Sequence, residues 1–299
     1  MSKIIGKVIM FSLALICIFF NNAYAEKIGN INFQSITIDD GLSQSLAEYI
    51  YQDSFGYMWI GTSDGLNRYN GNEFKVYRNI KNNDNSISNN VITSLVEDNY
   101  KNLWIGTDSG LNKMNLVTGD ITRYLISEED KTYSNSVIEE LMIDSSGELW
   151  ACSISGINYY DRKNDKFITI PTDLFKKAIL QDFVEDDQGN IWISTDLGLY
   201  RYNPINKNIE EFNDPKNIIG KKDIFSMLYE DGKLWLGTKT DGLLIMDLKD
   251  YSIKSYRHNP NDSTTIPSNF IRDMLIAKDN TIWLGTDQGL VLFDEEEEK

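Results

Sequence analysis

All six tryptophans of this chain stand at the same place in one repeated phrase. Trp59, Trp104, Trp150, Trp192, Trp235 and Trp283 follow one another at intervals of 45, 46, 42, 43 and 48 residues. Around each runs an apolar residue, Trp, Ile or Leu, Gly, Thr, two or three polar residues and Gly-Leu, with local departures. A period of roughly 40–50 residues marks a chain of stacked units, none of which buries its apolar face alone. Strand-like segments lie between the phrases. The expectation is an all-β chain, a β-propeller of four-stranded blades with six repeats in view.

The second repeat shows how one blade reads. Val91–Val96 is the innermost strand, 97–102 a turn, Leu103–Thr107 the second strand, Gly110–Asn115 the third and Ile121–Tyr124 the outer fourth. Gly56, Gly147 and Gly189 occupy the Lys101 position in sister blades, where a tight hairpin favours positive φ. A Trp ring buries roughly 150–250 Å². Six regular copies suit a joint between neighbouring blades better than a ladder of ligand-stacking rings.

The ends of the pattern are offset. Phe33–Ile38 resembles the outer strands Phe74–Tyr77, Phe167–Ile170 and Ile253–Tyr256, yet no blade precedes it. Gly289–Asp294 is a third strand with no fourth after it. An N-terminal strand that completes the last blade gives a closed six-bladed ring. Part of a seven-bladed ring is the other form, and a repeat cut rather than capped points to a C-terminal truncation.

Lys3 and Lys7, an apolar run from Val8 to Phe20 and the small-x-small triplet Ala23-Tyr24-Ala25 read as a signal peptide over residues 1–25. The propeller then occupies 26–299, on the periplasmic or extracellular side. The apolar run is too short to span a bilayer comfortably. Cys152 is the one cysteine outside the signal, so no intrachain disulfide is available despite export. The net charge of −16 grows more negative without Lys3 and Lys7. Such a surface opposes nucleic acid and anionic membrane faces. It suits a neutral or cationic ligand, or a site with local basic groups.

Ile38-Asp39-Asp40-Gly41-Leu42-Ser43 and the phrase from Asp53 to Gly71 resemble the two-component regulator propeller family. The link Asn259-Pro260-Asn261-Asp262-Ser263 to Ile266-Pro267-Ser268-Asn269 resembles that family's usual passage between blades. The likeness covers essentially all of residues 30–294. It implies the extracytoplasmic sensor of a membrane receptor, with further domains of the same receptor as partners. A second propeller, an immunoglobulin-like domain, a membrane helix and a kinase or cyclase output follow in that family. It also implies an oligosaccharide or other small-molecule ligand. Family members generally have seven blades per ring, and six phrases are present here. Blade three also departs from the pattern, with Trp150-Ala151-Cys152-Ser153 in place of Trp-Ile-Gly-Thr.

Catalysis finds little material. His258 is the sole histidine and lies in a polar link, so a histidine metal site or triad is not expected. Cys152 on a predicted strand reads as a packed small residue rather than a nucleophile. The acidic pairs Asp186-Asp187 and Glu128-Glu129 match no calcium-loop spacing. No cofactor or metal is expected. Links between blades and the Thr-x-x-Gly turns should share one face, around the channel mouth. There Asn90, Ser136, Lys177, Lys222, Asn269 and Arg272 are the candidate ligand-binding residues, with Asp64, Asp108, Asp196, Lys239 and Asp287 on nearby turns. In so acidic a protein the cations are candidates to receive an acidic sugar, though ordinary surface charge is the simpler reading. The expected function is a non-catalytic ligand-sensing propeller, with a free secreted binder, a propeller lyase or hydrolase, and a homodimer as alternatives.

Overall fold

The computed structural model describes residues 35–124, 137–153, 156–170, 174 and 178–294. The chain divides into two compact units, Met1–Thr37 and Ile38–Lys299, and every blade lies in the second. Blade one is Ala47–Gln52, Met58–Thr62, Gly65–Tyr69 and Phe74–Tyr77. Blade two is Ile92–Glu97, Asn102–Thr107, Gly110–Asn115 and Ile121–Tyr124. Blade three is Ile138–Ile143, Leu149–Ser153, Gly156–Asp161 and Lys166–Thr169. Blade four is Leu180–Glu185, Ile191–Thr195, Gly198–Asn203 and Asn208–Phe212. Blade five is Ile224–Glu230, Lys233–Thr238, Leu243–Asp247 and Ile253–Tyr256. Blade six has three described strands, Ile271–Ile276, Ile282–Thr286 and Gly289–Phe293. The fold is an all-β propeller, each blade an antiparallel meander, with strand bounds in blade two within a residue of those expected.

The N-terminus departs from expectation. Residues 33 and 34 of the expected strand, like the whole signal peptide, lie outside the described residues. Ser35–Thr37 carry no strand, and Ile38–Asp40 form a 3-10 turn closed by Gly41 N–H on the Ile38 carbonyl. Asp39-Asp40-Gly41 is turn chemistry, and Gly41 takes φ +106°.

Turns behave as the sequence implies. Lys101, Gly56, Gly147 and Gly189 all have positive φ at equivalent hairpin positions. In every phrase the Thr or Ser hydroxyl donates across the next turn to the second glycine's carbonyl, as Thr107 does to Gly110 at 2.8 Å.

A bulge near the start of every inner strand sets how blades join. A regular strand turns its first and fourth residues to opposite faces; an inserted residue brings them to the same one. From blade two onward those two positions are buried against the preceding blade's tryptophan. Ile92 and Leu95 meet Trp59, Ile138 and Leu141 meet Trp104, and Leu180 and Phe183 meet Trp150. Ile224 and Met227 meet Trp192, and Ile271 and Met274 meet Trp235. The five core clusters are therefore five joints. The glycine two residues after the Trp is the socket. A Cβ on Gly61, Gly106 or Gly237 would stand 2.7–2.9 Å from the Ile92, Ile138 or Ile271 side chain.

The outermost faces of this series are uncovered. Ile50, the fourth inner-strand residue of blade one, is 59% exposed, whereas its counterparts Leu95 to Met274 are 1–7% exposed. On blade six Leu275 and Leu290 are exposed, and the Gly285 socket meets only its own blade's Asp273.

Candidate functional site

In each meander the turn between the second and third strands and the link into the next blade emerge on one face. Main-chain bonds tie them together: Gly65 N–H to the Asn90 carbonyl at 2.8 Å, and Gly242 N–H to the Asn269 carbonyl at 3.0 Å. Asn90 and Asn269 are thus equivalent. Each side-chain oxygen also accepts a link N–H, from Asn79 at 2.7 Å and from His258 at 2.8 Å. Both positions are committed to holding links in place.

Lys222 pairs with Asp241 at 3.1 Å, and Arg257 reaches the same carboxylate at 3.0 Å. Asp241 precedes the Gly242 that binds Asn269, so Lys222, Asn269 and Arg272 gather over blades five and six. Asn90 belongs to the passage from blade one to blade two. Ser136 and Lys177 lie outside the described residues. Among the turn residues Asp64 pairs with Arg78, Lys239 with Asp223 and Asp287 with Arg272, and Asp196 accepts the Ile179 N–H.

Two aromatic residues join this group unannounced by the repeat. The second inner-strand position carries Glu48, Thr93, Glu139, Gln181 and Arg272 in five blades, and Phe225 in blade five. Phe225 meets Phe270 edge to face at 5.0 Å. The Arg272 guanidinium lies over the Phe270 ring at 4.5 Å. Its Nε donates to Asp287 at 2.5 Å, while neither Nη has a bonding partner among the described residues. Both phenylalanines are half-buried and Arg272 is exposed. Single-residue pattern reading missed the group because its members come from two blades. The signal available was one aromatic in an otherwise polar column.

Below the mouth, the third inner-strand positions face the axis. Tyr49 and Ser94 donate to Glu140 at 3.2 and 2.5 Å, linking blades one and two to blade three. Asp182 accepts the Met227 N–H of blade five at 2.6 Å. Burial, opposed in part by these donors and helped by Asp273, pushes the Glu140 carboxyl up to about 7. Burial and the Glu140 charge raise Asp182 well above the usual carboxylate range, and partial loss of hydration raises the more exposed Asp273. Acids of blades three, four and six thus share one lumen and repel one another there.

The two residues considered for catalysis are otherwise occupied. His258 Nδ1 lies 2.9 Å from the Ile266 carbonyl, which can only accept, so that nitrogen carries the proton. Cys152 is fully buried, and burial, with Glu139 and Glu140 nearby, drives its thiol up, away from the reactive thiolate.

Residues 41–64, 86–109, 173–196 and 265–288 match the family described as Two component regulator propeller. A stretch of 80 residues is 44% identical to Histidine kinase P4 of Formosa agariphila, covering 27% of this chain and 5% of that protein. The extracellular domain of BT4673 of B. thetaiotaomicron, named as a hybrid two component system, superposes with a TM-score of 0.61 at 20% identity. That match covers 83% of this chain and 38% of the other. Virginiamycin B lyase from Staphylococcus aureus superposes with a TM-score of 0.59 at 14% identity, over 82% of this chain and 80% of the enzyme. At such identities the two superpositions establish the fold. The chain spans 5% and 38% of the first two relatives. No helix among the described residues is long and apolar enough to cross a membrane.

Proposed function

We propose that this chain, which carries repeats of the two component regulator propeller family, is the exported, non-catalytic ligand-sensing domain of a signalling receptor. The observation that carries the reading is the group Phe225, Phe270 and Arg272 beside Lys222. It sits on the link face where the repeat is broken. Places where a repeat abandons its own pattern are where function is expected. Relatives named as a histidine kinase and as the extracellular domain of a hybrid two component system support the receptor context. The ligand is an oligosaccharide: ring faces lie against aromatic side chains, and hydroxyls meet the surrounding Lys, Asn and Asp groups. Capture on the link face alters packing against neighbouring receptor domains and so biases the output. The engaged His258 nitrogen and the buried Cys152 count against a lyase or hydrolase.

The test is a glycan-array screen of residues 26–299, followed by calorimetry on each hit and chromatography of each hit after overnight incubation. Saturable binding with the glycan recovered intact is expected. Cleavage of the bound glycan, or an empty array with the folded protein, overturns the reading. Mass spectrometry of the exported protein should show cleavage after Ala25, and retention of residues 1–25 would remove the signal peptide.

A further inference from the structure

Arg272 is a prepared anion receptor. Its Nε donates to Asp287 at 2.5 Å and its plane lies over the Phe270 ring at 4.5 Å, two contacts that favour one orientation of an otherwise exposed guanidinium. The two Nη groups, unbonded among the described residues, form the outer edge of that plane. Two parallel N–H donors on a fixed plane match the two oxygens of a carboxylate, and a lysine ammonium does not reproduce that fork. Phe225 stands edge-on to Phe270 at 5.0 Å, so apolar surface lies beside the fork rather than beneath it alone. Three other cations described on this face are paired with carboxylates. Lys222 and Arg257 share the Asp241 carboxylate, and Lys239 is with Asp223.

Resting on the oligosaccharide reading above, we propose that Phe225, Phe270 and Arg272 form the subsite for a carboxylated pyranose. Its carboxylate takes the Arg272 Nη edge and its C–H face lies on Phe225. Lys222 is outside this subsite and contributes only long-range charge.

The experiment is calorimetry with tetragalacturonate, with galactotetraose as its uncharged counterpart and a sulfated galactotetraose as a third ligand. Tetragalacturonate is expected to bind, and galactotetraose about ten- to a hundredfold more weakly, the range of one charge-assisted bidentate contact. Arg272→Lys should lose about as much as Arg272→Gln, since charge without the fork is not enough. Phe225→Thr, the residue of blade two at this position, should weaken both uncharged and acidic sugars. Thermal melts of each variant check folding, and Lys75→Gln, on the outer strand of blade one, should bind within about twofold of the parent. Equal affinity for the acidic and uncharged sugars overturns the proposal, as does full affinity in Arg272→Gln. Tighter binding of the sulfated sugar overturns the carboxylate assignment. Should the glycan array yield only uncharged hits, the subsite fails while the sensor reading stands; an array with no hits removes both.

Discussion

At the scale of single residues, four of the six tryptophans are held by a partner six positions earlier. Trp59, Trp104, Trp150 and Trp192 donate their indole N–H to Asp53, Asp98, Asp144 and Asp186 at 2.7–2.9 Å. The same carboxylates accept hairpin N–H groups, as Asp98 does from Tyr100 and Asn102. Asp98→Ala strands a buried indole N–H and opens its hairpin, so chemical denaturation should show a loss of about 2–3 kcal/mol. Asp98→Asn, which keeps one acceptor, should lose less. Burial alone would raise the Asp98 carboxyl, but the bonds from Trp104, Asn102 and Tyr100 outweigh it and lower it. A lowered carboxyl stabilises the fold above its unfolded value and loses that contribution as pH falls through its folded one. The Asp98→Ala penalty should therefore shrink below about pH 4. The Asp-to-Trp spacing is visible in the sequence, which makes the clamp legible in principle. Blades five and six lack the aspartate: Trp283 donates to Thr281 instead, and Trp235 Nε1 is buried with no hydrogen-bond partner among the described residues.

At the scale of strands and joints, the Trp-x-Gly glycine is legible as a repeat but its reason is not. The requirement for no side chain comes from the next blade's first inner residue, some thirty positions away in sequence. Gly106→Ala should cost about 1–3 kcal/mol by overpacking against Ile138, and Gly285→Ala, at an open socket, less than about 0.5. Equal losses in thermal melts would contradict the joint described here. The departure in blade three has a local counterpart, since Cys152 fills the socket position and Leu180 stands where blades two, three, five and six begin with isoleucine. The bulges escaped sequence reading altogether, because an extra residue in an alternating strand has the same composition as a regular one. Without them, strict alternation would place the third-position acids on the same face as the first residues buried in the joints.

For the whole molecule, the six repeats, their strand order and the face carrying the links follow from the sequence, whereas the axial acids and the aromatic group needed coordinates. The axial acids give stability a pH dependence of opposite sign to that of Asp98. Their folded values lie above their unfolded ones, so the protonated fold is favoured and stability declines as pH rises from about 5 through about 7. Melting temperatures across pH 5–8 should fall, and Glu140→Gln should flatten the decline; an unchanged slope in that variant would exclude Glu140 as its source. The five joints repeat one contact, so each blade is steadied mainly by its neighbours, with the axial bond from Tyr49 to Glu140 added across the lumen. Blades one and six, with Ile50 and Leu275 open, are steadied from one side. Amide hydrogen exchange should therefore run inward from both ends, as fraying does in a short helix. A ligand on Phe225, Phe270 and Arg272 would stitch the sixth blade to the fifth. It should be seen first as slowed exchange in Ile271–Ile276, before any change at blades two to four.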